Sequence, residues 1–312
     1  MTLFLPEGKR LLTAANRAAV GSMQGMRTAM ERGEILEARA LMCDREHNLI
    51  VDLPTMRGVI PREEGALGIR EGTVRDIAVI SRVGRAVCFV VNDLLADESG
   101  MPYAVLSRAK AQRMCADRYI GTLRAGDVIP ACVTHTEPFG AFCDIGCGLA
   151  ALMPIDTISV SRIDHPDERF RVGMDIFAVI KSRTGTRVTL SHKELLGTWA
   201  ENASRFSVGD TVTGVIRSIE NYGAFVELTP NLAGLAELRD NLHVGDTAAV
   251  YIKSIIPQKM KLKLAIVDSF CDEAPVLPPD YYITEGHIDR FVYSPPECSR
   301  YIGTDFGLSE NR

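Results

Sequence analysis

A mainly β protein, three tandem five-stranded antiparallel barrels joined by α-helical linkers, is the fold class this sequence predicts. Two observations carry it. First, the chain repeats itself: Gly126–Ile155 aligns without a gap onto Gly209–Leu238, with nine of 30 positions identical, including Gly140-Ala141-Phe142 with Gly223-Ala224-Phe225. A second block, Val172–Ser182, matches Val244–Ser254, including Ile180-Lys181-Ser182 with Ile252-Lys253-Ser254; such self-similarity marks a repeated structural unit. Second, each copy reads as short strands. Thr211 to Ile219 is rich in β-branched residues, Glu220-Asn221-Tyr222-Gly223 is a turn, and Ala224, Val226 and Leu228 then alternate with Phe225 and Glu227. Five such strands in 60 to 70 residues would leave open edges unless the sheet closes on itself.

The elements follow in chain order. Residues 1–32 form an N-terminal helical segment, with Thr13 to Arg32 rich in Ala and Met. Residues 33–108 are a degenerate first copy, in which Asn48-Leu49-Ile50-Val51-Asp52-Leu53 stands where the third copy has Gly223 to Leu228; later strands are expected at Val74 to Ser81, Ala86 to Val91 and Tyr103 to Ser107. Residues 109–125 are a helical linker behind the capping candidate Ser107, and 126–192 the second copy. Residues 193–208 are another linker, within a helix expected from Ser191 to Phe206, and 209–268 the third copy. The second copy is longer by 11 residues, which fall in the polar stretch Asp156 to Phe170, read as a surface crossover loop or short helix. Residues 269–312, with five prolines and Tyr281, Tyr282, Tyr293 and Tyr301, are expected to be an extended tail packing partly on the body.

Composition limits the function classes. Lys and Arg number 35 against 40 Asp and Glu, and 46% of residues are apolar, the balance of a soluble globular protein. No apolar run approaches a membrane span, and Met1 to Arg10 lack the apolar stretch of a signal peptide, so a cytoplasmic setting is expected. The tail holds 3 basic and 8 acidic residues and therefore all the net charge. A neutral body can hold a polyanion only by stacking and a few placed cations. The eight scattered cysteines are read as reduced core thiols, and Cys132, His135, Cys143 and Cys147 lack the usual zinc spacing. No cofactor or metal site is assigned. The histidines His135, His165, His192 and His243 read as surface or capping residues. No phosphate loop, nucleophile elbow or recurring carboxylate cluster is present, so no enzymatic activity is expected.

The Gly-Asp start, the Pro138–Asp144 (Pro-Phe-Gly-Ala-Phe-Cys-Asp) and Tyr222–Glu227 (Tyr-Gly-Ala-Phe-Val-Glu) motifs, the Val-Gly strand and the basic last strand resemble the S1-type RNA-binding barrel of the bacterial ribosomal protein S1 family. The resemblance covers Gly33 to Asp268 and is weakest in the first copy. It implies an OB fold that binds single-stranded RNA on one face. The family's stacking aromatics fall on Phe139 and Phe142 in the second copy and on Tyr222 and Phe225 in the third. Its last-strand cation falls on Arg187, with Arg183 one hairpin earlier, and in the third copy on Lys259 or Lys261. Arg217 is a further expected phosphate contact. Phe139 and Tyr222 could instead plug the barrel mouth, and the strand lysines could be ordinary solvated surface. The family's histidine after the third strand is replaced by Pro154 and Glu237; Glu227 and Asp144 would repel phosphate if they faced it. The first copy has His47 and Ile50 in place of the rings and no assigned RNA platform.

The resemblance implies single-stranded mRNA as ligand, ribosome-associated translation as the setting and the small ribosomal subunit as a partner, with no membrane association and a monomer favoured. The alternative is a protein-docking adaptor of a ribosome or RNA-processing complex.

Overall fold

The structure, a computed structural model, describes residues 4–273 and 276–307. Three closed five-stranded barrels are present, and the chain divides into two compact units. The first holds residues up to Leu123 together with Asp144–Ala150; the second holds Arg124–Cys143 and everything from Ala151 onward.

The first unit opens with two helices, α1 (Ala14–Val20) and α2 (Met23–Arg32), where one was expected. Capping divides them: Thr13 accepts the Asn16 N–H and Ser22 the Gly25 N–H, while the Gly21 N–H closes α1 onto the Arg17 carbonyl. Strands β1 (Leu36–Cys43), β2 (Leu49–Leu53), β3 (Met56–Ile60), β4 (Ala86–Ala96) and β5 (Pro102–Ser107) close in the order β1-β2-β3-β5-β4, with β5 parallel to β3. The strand expected at Val74 to Ser81 is not one. It contains a short helix, α3 (Ile77–Ile80), in which Val79 alone is fully buried while Ile77 and Ile80 face solvent. A run of four apolar residues without alternation fits either period, and the crossover from β3 to β4 decides for the helix. Helix α4 (Arg108–Arg118) begins where expected, with Ser107 accepting the Lys110 N–H.

Beneath α4 lies a buried polar cluster. The Arg108 guanidinium grips the Glu7 carboxylate at 2.6 and 3.0 Å. Asp144 accepts N–H bonds from Glu7, Gly146 and Gly148 at 2.7–3.0 Å, and Glu37 Oε2 accepts three more from Gly8, Arg10 and Leu11. Burial, reinforced by the nearby Glu7 charge, pushes both Asp144 and Glu37 up to about 7. Burial also raises Glu7, but the Arg108 charge and hydrogen bonds prevail and hold it below the usual carboxylate range. The concern that Asp144 would face a ligand therefore does not arise.

In the second unit, β6 (Val128–Glu137), β7 (Gly140–Asp144), β8 (Ala150–Pro154), β9 (Asp175–Thr184) and β10 (Arg187–Ser191) form the second barrel. Strands β11 (Thr211–Glu220), β12 (Gly223–Thr229), β13 (Leu232–Ala236), β14 (Asp246–Ile256) and β15 (Lys261–Glu273) form the third. The crossover Asp156 to Phe170 is less superficial than expected: Thr157, Ile158 and Phe170 are fully buried. The helix expected from Ser191 to Phe206 breaks at Gly197 (φ +82) into a 3-10 turn, Lys193–Leu196, and helix α5 (Trp199–Ala203). Ser191 bonds to the Glu194 carboxylate, and the working cap is Thr198, paired reciprocally with Glu201.

His192, expected to be a surface or capping residue, is buried at the N-cap position of the Lys193–Leu196 turn, where its side chain makes no capping bond. Its ring contacts the Ile158 carbonyl (2.9 Å) and the Tyr281 hydroxyl (3.0 Å), and burial lowers its pKa to about 4. The tail packs on the body, as expected, but is more ordered than a plain extended segment. It forms a hairpin, β16 (Arg290–Val292) with β17 (Gly303–Asp305), and Ile288, Phe291, Tyr293 and Phe306 join Ile216, Val226, Val250 and Leu264 in one apolar core. Pro275, named with the tail, lies outside the described residues.

Candidate nucleic-acid interface

The two repeated motifs adopt one geometry. In the second barrel Phe139, in the turn between β6 and β7, meets Phe142 on β7 edge to face, with ring centroids 6.1 Å apart at 89°. In the third, Tyr222 meets Phe225 at 6.3 Å and 90°. Phe139 and Tyr222 are 56% and 69% exposed, so neither ring plugs the barrel mouth; Phe142 and Phe225 are half-buried, standing on sheets whose inner residues Ala141, Ala224 and Val226 are fully enclosed. An edge-to-face pair leaves ring faces open to a planar partner.

The glycine before each Ala-Phe fixes the turn that carries the exposed ring. A Cβ at Gly140 would lie 2.4 Å from the Met153 carbonyl oxygen, and one at Gly223 would lie 2.6 Å from that of Ala236. Only a residue without a side chain lets the backbones approach this closely.

Strand register resolves which lysine stands where Arg187 does. Thr189 pairs with Leu152, and Lys263 pairs with Leu235, the repeat partner of Leu152. Lys261 therefore corresponds to Arg187, as their hairpin partners Ile256 and Thr184 confirm. Lys259 lies off the strand, in the 3-10 turn Pro257–Lys259. The register also brings in a residue absent from the expected set. Phe225 pairs with Leu235 and Leu235 with Lys263, so Lys263 shares the outward face with Phe225 about 10 Å away, two strand spacings. Alternation in Lys259-Met260-Lys261-Leu262-Lys263 alone could not separate such a position from solvated edge. Arg187, Lys261 and Lys263 are exposed; Arg183, also exposed, touches the Gly185 carbonyl at 3.4 Å.

Arg217 is placed otherwise than expected. Its guanidinium takes both oxygens of Glu227 at 3.0 and 3.2 Å and also pairs with Glu168, while Arg169 binds Glu227 from the other side. Only 13% of the Arg217 side chain and 6% of Glu227 are exposed. Arg217 thus neutralises the carboxylate that would have repelled phosphate and is itself committed. The β-bulge at Ile216/Ser218 turns it out of the alternating pattern.

His135, read as a surface or capping residue, is exposed and lies beside the ring pair of the second barrel. Its ring stacks on Phe142 (6.2 Å, 22°) and pairs with Glu137 at 2.7 Å. The repeat puts Ser218 there in the third barrel, so the duplication offered no hint of it.

The chain is similar to several known proteins. Residues 122–193 match the family model described as S1 RNA binding domain. Small ribosomal subunit protein bS1 of Staphylococcus aureus (strain COL) is 29% identical over 314 residues, covering 95% of this chain and 77% of the relative. That of Staphylococcus haemolyticus is 28% identical over 229 residues, 71% of this chain and 55% of the relative. Among solved structures, a multidomain protein with nucleic acid binding domains from Streptococcus pneumoniae aligns over 76% of this chain and 74% of that one at 12% identity, with a TM-score of 0.24.

Proposed function

We propose that this chain, an S1-domain protein resembling ribosomal protein S1 over most of its length, binds single-stranded RNA across its second and third barrels in ribosome-associated translation. The observation that carries the reading is the duplicated edge-to-face pair, Phe139 with Phe142 and Tyr222 with Phe225, presented at one register on two barrels. Every base has a π-face, so such rings take successive unpaired bases with little sequence preference. Arg187 and Lys261, with Arg183 and Lys263 beside them, supply phosphate contacts, and exposed Lys259 in the hairpin turn adds a further cation. Arg217 acts from behind by neutralising Glu227. The role is binding without chemistry, exercised in the cytoplasm with the small ribosomal subunit as partner.

The test is the pair of substitutions Phe142→Ala and Phe225→Ala. Each should weaken binding of an unstructured oligoribonucleotide by about 1–3 kcal/mol, with the circular dichroism spectrum preserved. Unchanged affinity in a folded double variant overturns the reading. Replacing Lys261 and Lys263 by Gln should lower the salt dependence of log affinity by about 0.7 for each phosphate no longer neutralised.

A further inference from the structure

We propose that His243, Asp246 and Cys271 form a binding site for a divalent transition-metal ion of the zinc class, independent of the RNA face. Their ligand atoms, an imidazole nitrogen, a carboxylate oxygen and a thiol sulfur, all lie within 4.8 Å of one another. His243 Nδ1 and Asp246 Oδ2 are 3.4 Å apart. Zinc bonds of about 2.0–2.3 Å place tetrahedral ligands roughly 3.3–3.8 Å from each other, so the first pair already has the required separation. Cys271 is exposed and His243 is 67% exposed; either can rotate to close the remainder. The mixed nitrogen, oxygen and sulfur set suits zinc or cobalt(II) better than calcium or magnesium, which prefer oxygen alone.

The third barrel departs from the second in each element that builds this cluster. In the repeat, Arg171 and Met174 stand where His243 and Asp246 do. Strand β10 ends at Ser191, whereas β15 continues past the matching Ala265 to Glu273. It is this extension, bulged opposite Asp246/Thr247, that carries Cys271 to the start of β14. The Asp has a turn role of its own: Oδ2 accepts the His243 N–H at 3.2 Å, as Asp127 and Asp210 accept those of Arg124 and Ser207. That role holds the carboxylate in place. It calls for neither the imidazole nor the thiol, since the matching positions in the other two turns are Arg124 and Ser207. A bound ion would tie the end of β15 to the turn before β14, releasing the thiol proton as the thiolate forms.

The test uses the intact reduced chain. Calorimetric titration with Zn²⁺ should show one ion per chain, and Co²⁺ should produce a thiolate-to-metal charge-transfer band. Cys271→Ser should abolish that band, and both Cys271→Ser and His243→Ala should weaken Zn²⁺ binding on the order of 10-fold or more; Cys298→Ser should change neither. Absence of saturable uptake, or a band and affinity unchanged in Cys271→Ser, overturns the site. Should the serine variant fail to fold, His243→Ala decides alone, because wild-type affinity in it overturns the site equally.

Discussion

At the scale of single residues, burial separates side chains open to solvent from those already engaged within the protein. Phe139 and Tyr222 are exposed, whereas Arg217, equally plausible on paper, is held by two carboxylates and nearly buried. Arg217→Ala should therefore act on folding more than on binding. Removing it strips Glu227 of its bidentate partner and leaves Arg169 alone to balance the charge, at a cost of about 2–3 kcal/mol. Chemical denaturation should show the loss, while RNA affinity of the folded variant stays close to that of the parent. The rings were legible because the sequence duplicates them. Lys263 was visible only as one of several alternating lysines, and its pairing through Leu235 is what gives it a place. His135 had no counterpart in the other copy, so nothing short of coordinates could put its ring on Phe142.

At the scale of elements, the turn glycines are as much part of the proposed interface as the rings beside them. Gly140→Ala and Gly223→Ala each drive a methyl against a carbonyl oxygen in the neighbouring strand, so each should cost more than about 1 kcal/mol of stability. Each should also displace the adjacent exposed ring and weaken RNA binding at that barrel; thermal melts and titrations of the single variants measure the two effects. The strands of the second and third barrels could be read from alternation and repetition. The linkers could not be read as well, since capping competes with helix-forming composition: Thr198 and Ser22 start new helices inside stretches that look continuous. In the first barrel, Ile77–Ile80 offered four apolar residues with no period at all, and only the crossover they occupy settles them as α3.

At the scale of the whole molecule, the two units respond to pH in opposite directions. Asp144 and Glu37 ionise at about 7 in the folded first unit, against about 4 in an unfolded chain. Between these limits the folded state keeps protons that the unfolded state has lost, so this unit weakens as pH rises from about 4 to 7. His192 in the second unit titrates at about 4 instead of 6.5. There the unfolded state takes up the extra proton, and stability falls as pH drops from about 6.5 toward 4. Glu7, held below its ordinary value by Arg108, adds stability that is present above the ordinary carboxylate range and is lost as pH falls through its own lowered pKa. Hydrogen exchange resolved by peptide, corrected for the intrinsic rate at each pH, should show the first unit better protected at pH 5 than at 8 and the peptides around His192 the reverse. Parallel behaviour in both would refute the assignment.

The repetition stops at residue 268, yet the apolar core that includes the third barrel does not. Ile288, Phe291, Tyr293 and Phe306 arrive from beyond that limit to join the cluster that holds Trp199 together with the barrel's Ile216, Val226, Val250 and Leu264. An expression boundary drawn where the last copy ends would produce a sticky fragment missing its own stuffing, so a piece meant to stand alone must run through Phe306.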